Sequence, residues 1–207
     1  MKTLALLISL TSFLITSAQQ VDLVVPLQDS LIETSGLILL NDRLITHNDS
    51  GGEPALFEID SVSGGISRKV IIDNAPNLDW EDLCYDDTYV YVADFGNNSG
   101  SITNLRVYRV LISDSLSTSN DTISADTIHF DYADQTDFTP TTLATNYDAE
   151  VLIAWNDSLY IFTKNWGNQW TNIYALPKTP GNYSLPRIDS RSLQKNFSLG
   201  QHLNLAS

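Results

Sequence analysis

The sequence predicts an all-β fold built from one repeated unit, and three observations predict it. After residue 20 the apolar residues come in short runs rich in β-branched and aromatic types, such as 37–40, 89–93, 105–110 and 159–163. Clusters of Gly, Asn, Asp and Ser separate the runs, the signature of many short strands joined by turns. One order of elements then recurs three times along the chain.

The first 18 residues stand apart from this pattern. Lys2 gives a short positive start, residues 4–15 form an apolar run broken only by Ser and Thr, and Thr16-Ser17-Ala18 offers small residues for cleavage before Gln19. This is the layout of a secretory signal peptide, too short to span a bilayer. Residues 19–207 are therefore expected outside the cytoplasm, secreted or in the cell envelope. Cys84 is the only cysteine, so no internal disulfide forms, and its place between Leu83 and Tyr85 marks it as a small core residue.

In each copy of the repeat an acidic or small polar residue opens a strand, an Asn/Asp turn follows, a strong strand comes next, and a third strand follows a polar loop. The first copy runs Ser35-Gly36-Leu37, Asn41-Asp42, 44–47 and 55–59. The second runs Glu81-Asp82-Leu83, Asp86-Asp87, 90–94 and 105–110. The third runs Glu150-Val151-Leu152, Asn156-Asp157, 159–164 and 172–176. The starts lie roughly 46 and 69 residues apart; the first interval matches the ~40–50 residues of a β-propeller blade, and the second leaves room for an insertion. Residues 113–127, rich in Ser, Thr and Asp, are expected to supply part of it as an extended connection or an extra hairpin. One such unit cannot bury both faces of its sheet, and propellers close with four to eight. The expectation is an incomplete β-propeller ring of about three four-stranded blades, the N-terminal part of a longer protein.

Charge narrows the partners. The formal net charge is −14, and removal of the leader leaves ten basic against twenty-five acidic residues. Such a surface repels nucleic acid and anionic lipid and favours cations. No later stretch reaches the ~18 apolar residues of a membrane helix.

Equivalent places in the repeat bring polar residues to strand edges. They are His47, Asn48 and Asp49; Asp79 and Glu81 with Asp94, Asn97 and Asn98; and Asp148 and Glu150 with Lys164. If the strand openings gather at one mouth of the ring, Asp79, Glu81, Asp94, Asp148 and Glu150 converge, and carboxylates held close need a cation or protons. Hard oxygen donors suit calcium better than zinc, and His47, His129 and His202 are too scattered for a zinc signature. His47, Asn48, Asp49, Asn97, Asn98 and Lys164 are candidate ligand contacts. Asp and Asn also make tight turns, the competing reading for each of these residues. Trp80 reads as packing between units rather than as a ligand platform.

The motifs Thr46-His47-Asn48-Asp49-Ser50-Gly51, Asp79-Trp80-Glu81-Asp82-Leu83, Ala93-Asp94-Phe95-Gly96-Asn97-Asn98 and Asp148-Ala149-Glu150 through Phe162-Thr163-Lys164 occur in this order. Over residues 31–180 the chain thereby resembles a family of secreted bacterial β-propellers labelled esterase-like or phytase-like. The resemblance implies a propeller fold, export and, in many relatives, a C-terminal sorting domain of the type IX secretion kind that this chain lacks. In phytase-like members, calcium ions held by carboxylates bind phosphate groups and activate water. The leading expectation is an exported binding or scaffold module for an extracellular ligand or protein, with a calcium site. The alternatives are a calcium-dependent phosphoesterase and a purely structural repeat; no Gly-x-Ser-x-Gly surrounds Ser50 to suggest a serine nucleophile.

Overall fold

The computed structural model describes residues 24–115, 117 and 121–192; the leader expected over 1–18, the C-terminal segment and His202 lie outside the described residues. Strands make up about half the chain and helix almost none of it, so the all-β expectation holds. The strands are β1 (Thr34–Leu40), β2 (Arg43–Asn48), β3 (Ala55–Ile59), β4 (Ile66–Ile72), β5 (Trp80–Tyr85), β6 (Tyr89–Asp94) and β7 (Leu105–Leu111). After the single turn α1 (Ile112–Ser115) come β8 (Thr122–Ile123), β9 (Asp126–Tyr132), β10 (Ala149–Trp155), β11 (Ser158–Thr163), β12 (Trp170–Pro177), β13 (Gly181–Leu185) and β14 (Arg187–Ser192).

The repeat lies where the turn residues place it. Asn41 and Asp42 both take positive φ (49° and 61°), the geometry that lets a two-residue turn match strand twist, and Asn156 does the same at 48°. In the second hairpin the Asp86 carboxylate instead accepts from the Thr88 and Tyr89 amides, both at 2.9 Å. Antiparallel pairing then runs β1-β2-β3-β4, β5-β6-β7-β9 and β10-β11-β12-β14.

Two of the three sheets carry a fifth strand, contrary to the expected four. The chain between β7 and β9 adds β8 parallel to β4 of the preceding sheet, and the chain between β12 and β14 adds β13 parallel to β9. The second and third units thus each lend an edge strand to the sheet before them. The described residues among 113–127 belong to α1, β8 and the start of β9 and show no extra hairpin, and the long connection 133–148 takes up much of the remaining insertion. The described residues form three open sheets; no closed barrel or ring is present among them.

The first strands lie side by side, with β5 between β1 and β10. The middle sheet is therefore buried on both faces. Along β6 the alternation of side chains sends Val90 and Val92 into a core with Ile38, Leu40, Ile72, Trp80 and Leu83. Tyr91 and Ala93 enter the opposite core with Leu152, Leu159, Ile161 and Tyr174. This explains why residues 89–93 read as an unbroken apolar run. Cys84 packs against the second core, where burial pushes its thiol pKa up. Asp82 joins the two sheets: its carboxylate accepts from the amides of Leu83 and, across the interface, Leu152, both at 2.8 Å. At the two ends of the row the apolar faces stay open, with Leu37 and Leu39 exposed on β1 and Val151, Ile153 and Trp155 on β10.

Candidate metal centre

One irregularity recurs at the start of each first strand. The pairing register slips between Thr34 and Leu37, between Trp80 and Asp82, and between Ala149 and Val151. The extra residue in the second and third sheets is Glu81 and Glu150. A bulge turns its side chain out of the regular pleat, and both glutamates lie at the end of the sheets where the first strands begin. A backbone hydrogen bond braces the residues just before each bulge: Asp49 N to Glu33 O at 2.9 Å, Gly96 N to Asp79 O at 3.2 Å, and Lys164 N to Asp148 O at 2.7 Å.

Five carboxylates converge there. Asp49, Asp79 and Glu81 form one group and Glu81, Asp148 and Glu150 another; within each group one oxygen per residue lies within 4.8 Å of the others. Oxygens on opposite sides of a calcium ion stand about 4.6–5.2 Å apart, so this span fits a hard divalent cation. Glu81 belongs to both groups and is the pivot of the arrangement. Gly96 lines it from the second sheet, where a Cβ would collide with the carboxylates of Asp79 and Glu81.

The surrounding residues hold this set in place. Asp148 is fully buried; its Oδ1 accepts from the Asn97 amide at 2.8 Å and its Oδ2 from Trp166 Nε1 at 2.7 Å. Each oxygen keeps a lone pair for a cation. Lys164 Nζ donates to Glu150 Oε1 at 2.6 Å and sits 4.4 Å from the Trp166 ring centroid. Asn77 ties the first sheet to the second, donating to the carbonyls of Asn48 at 3.0 Å and Asp49 at 2.8 Å while accepting from the Trp80 amide.

Some expected site residues have other work. Asp94 is buried and saturated: Oδ1 accepts from the amides of Leu78 and Asp79, and Oδ2 accepts from the Tyr108 hydroxyl and ion-pairs with Arg106 at 2.8 Å. It shapes the loop that carries Asp79 and stands outside the two carboxylate groups. Asn97 braces Asp148 with its amide and accepts from Ile102 N with its side chain. Asn98 is exposed on the same loop. His47 is fully buried beside Trp80, its Nδ1 hydrogen-bonded to the Asn48 carbonyl, and burial lowers its pKa. Asn48 donates to the Ser30 carbonyl. Trp80 is fully buried between the first two sheets, as its packing role predicts.

Electrostatics single out the convergent set. Burial, then the charges of Glu150, Asp49, Asp79 and Asp148, pushes Glu81 up to about 9. Burial, then the charges of Asp49, Asp148, Asp94 and Glu150, pushes Asp79 up to about 6. Glu150 is raised by burial against the opposing hydrogen bond from Lys164. Burial pulls Lys164 down, but its bond to Glu150 and the charges of Glu150, Asp148 and Glu81 outweigh this and raise it. Without a cation the site must retain protons; with one, the carboxylates ionise and coordinate.

Sequence spacing pointed to four of the five convergent carboxylates. Asp49, expected among the ligand contacts, joins them as a fifth from the loop after β2. Gly96, Asn77 and Trp166 emerge only in three dimensions, although Gly96 lies inside the motif that drew attention to Asp94. Among the described residues, no helix is long and apolar enough to cross a membrane. A scan of protein-family models finds none that matches this chain, and a search of curated proteins finds no match either.

Proposed function

We propose that the chain is an exported β-propeller module that binds a divalent cation, calcium by its donor chemistry, and presents the cation-braced mouth to an extracellular ligand or protein. The observation that carries this reading is the double use of Glu81, whose carboxylate completes two oxygen groups drawn from three sheets. A cation there replaces the missing hydrogen-bond donors and ties β5 and β10 to the loop after β2. All-oxygen, all-carboxylate ligation favours calcium over softer metals. The propeller reading is supported by the first strands of the three sheets lying side by side, each at one edge of its own sheet. Export is supported by the pattern of residues 1–18.

A binding role fits better than phosphate hydrolysis. Lys164 is the basic side chain beside the carboxylates, and it is committed to Glu150. Phosphate transfer draws on positive groups beyond the bound cation to hold the reacting oxygens, and among the described residues beside the carboxylates Lys164 is already paired. Equilibrium dialysis of the chain against calcium, run beside a phosphomonoester assay, tests the reading. Saturable calcium binding without phosphate release is expected. No binding overturns the cation site, whereas calcium-dependent release abolished by Glu81→Gln replaces the binding role with a phytase-like phosphoesterase.

A further inference from the structure

A cleft opens at the end of the sheets opposite the carboxylates. One wall is the β5–β6 hairpin with β7 of the second sheet; the other is the β10–β11 hairpin with the turn after β12 of the third. Both walls belong to described sheets, so the cleft follows from how these two sheets pack. Its volume is about 490 Å³, within the ~300–1,000 Å³ range of small-molecule sites. Asp86, on the first wall, follows Glu81 by five residues, roughly 16 Å of extended chain.

The walls are fixed before any ligand arrives. Tyr89 and Tyr91 leave β6 on one side, towards the core shared with the third sheet. The Arg109 guanidinium lies 4.2 Å from the Tyr89 ring centroid, donates to the Lys178 carbonyl at 3.0 Å and reaches Asp126 at 2.6 Å. Lys178 Nζ donates across the cleft to Asp86 at 2.8 Å, and the Tyr91 hydroxyl donates to the same carboxylate at 2.9 Å. These ties join the two sheets, so little ordering is left for binding to impose.

Charge is used up in the cleft, whereas hydrogen-bonding capacity is not. Lys178 with Asp86 and Arg109 with Asp126 form two closed ion pairs, and Asp87 adds a negative charge. An anion therefore finds no unpaired cation, and a cation must approach Lys178 and Arg109. Yet Lys178 spends one of its three N–H donors on Asp86. The exposed side chains of Asp87, Thr88 and Asn156 make no hydrogen bond among the described residues. A neutral ligand rich in hydroxyls matches this mixture, because each hydroxyl both donates and accepts. The apolar ring carbons of a sugar also pack against an aromatic wall such as Tyr89.

We propose that this cleft between the second and third sheets is a binding site for neutral saccharides. It stands apart from the carboxylates and works whether or not they hold a cation.

The test is saturation-transfer-difference NMR on the chain in excess chelator, with neutral hexasaccharides of glucose, mannose and xylose as probes and hexagalacturonate as the anionic comparison. At least one neutral probe is expected to bind saturably. Lys178→Met, which removes the spare donors, and Asp87→Ala should each weaken that binding at least about tenfold, the worth of a hydrogen bond to a charged group. Far-UV circular dichroism should be unchanged. Should Lys178→Met lose its structure, Asp87→Ala carries the test, since no hydrogen bond among the described residues depends on that side chain. Glu81→Gln should bind the probe as the unaltered chain does, which separates this result from the calcium reading. Absence of saturable binding by every neutral probe overturns the proposal. So does binding that requires calcium, binding indifferent to both cleft substitutions, or a preference for hexagalacturonate.

Discussion

The two ends of the middle sheet hold their carboxylates in opposite states. At the hairpin end, Asp86 accepts from the amides of Thr88 and Tyr89, the Tyr91 hydroxyl at 2.9 Å and Lys178 Nζ at 2.8 Å. Burial alone would raise it, but these donors outweigh burial and hold it at about 2. At the bulge end Glu81 meets burial and four neighbouring carboxylates and rises to about 9. The residue class is the same, and the supply of donors separates the two. An acid ringed by donors is finished structure; acids packed against one another call for a positive charge from outside the chain.

The largest expected effect tests this contrast through pH. Glu81 and Asp79 hold protons in the folded state that the unfolded chain releases near pH 4, so their contribution to stability is complete below that pH. It is lost as pH rises towards about 9. Thermal melts in excess chelator should therefore fall steadily from pH 5 to pH 9. Asp86 works the other way: its contribution is present above about pH 4 and disappears as pH falls through about 2. A chelated melt that is flat between pH 5 and pH 9 would break the comparison.

Gly96→Ala comes next. Its methyl group must displace the carboxylates of Asp79 and Glu81, an overpacking cost of about 1–3 kcal/mol in denaturant unfolding, accompanied by weaker calcium binding. A variant with unchanged stability and affinity would show that the carboxylates do not crowd this glycine. At the hairpin end, Asp86→Asn should cost about 1 kcal/mol at pH 7, where the ionised acceptor is lost, and leave calcium binding intact. Equal calcium defects from both substitutions would erase the distinction between the two ends. The smallest effect belongs to Lys164→Gln. Loss of its half-exposed ion pair should cost no more than about 0.5 kcal/mol in chelator, while calcium affinity rises because a competing cation has gone.

Much of this fold was legible in the sequence because it is local. Asn41-Asp42 and Asn156-Asp157 fix two-residue turns, and each hairpin follows from the alternation on either side. Glu81 and Glu150 stood out because charged residues opening apolar strands are costly without a purpose. What stayed hidden is long-range. The two-residue β8 has no periodicity to detect, and its pairing partner β4 lies some fifty residues earlier. Asp94 resembled its neighbours in the motif, yet the register that sets it opposite Arg106 and near Tyr108 turns it into a loop anchor. Asp49 reaches the carboxylates only because the first and second sheets pack face to face, a contact no single repeat encodes.

Glu81→Gln tests the central claim most directly, with melts at pH 8.5 in chelator and in saturating calcium. The substitution removes the most strongly raised carboxylate and the residue shared by both oxygen groups. In chelator the variant should be more stable than the unaltered chain, having no buried charge to avoid. Calcium at about a hundred times its dissociation constant should stabilise the unaltered chain by about 2.7 kcal/mol and leave the variant nearly unmoved. A variant that is less stable in chelator and still rises with calcium as the unaltered chain does would contradict the account.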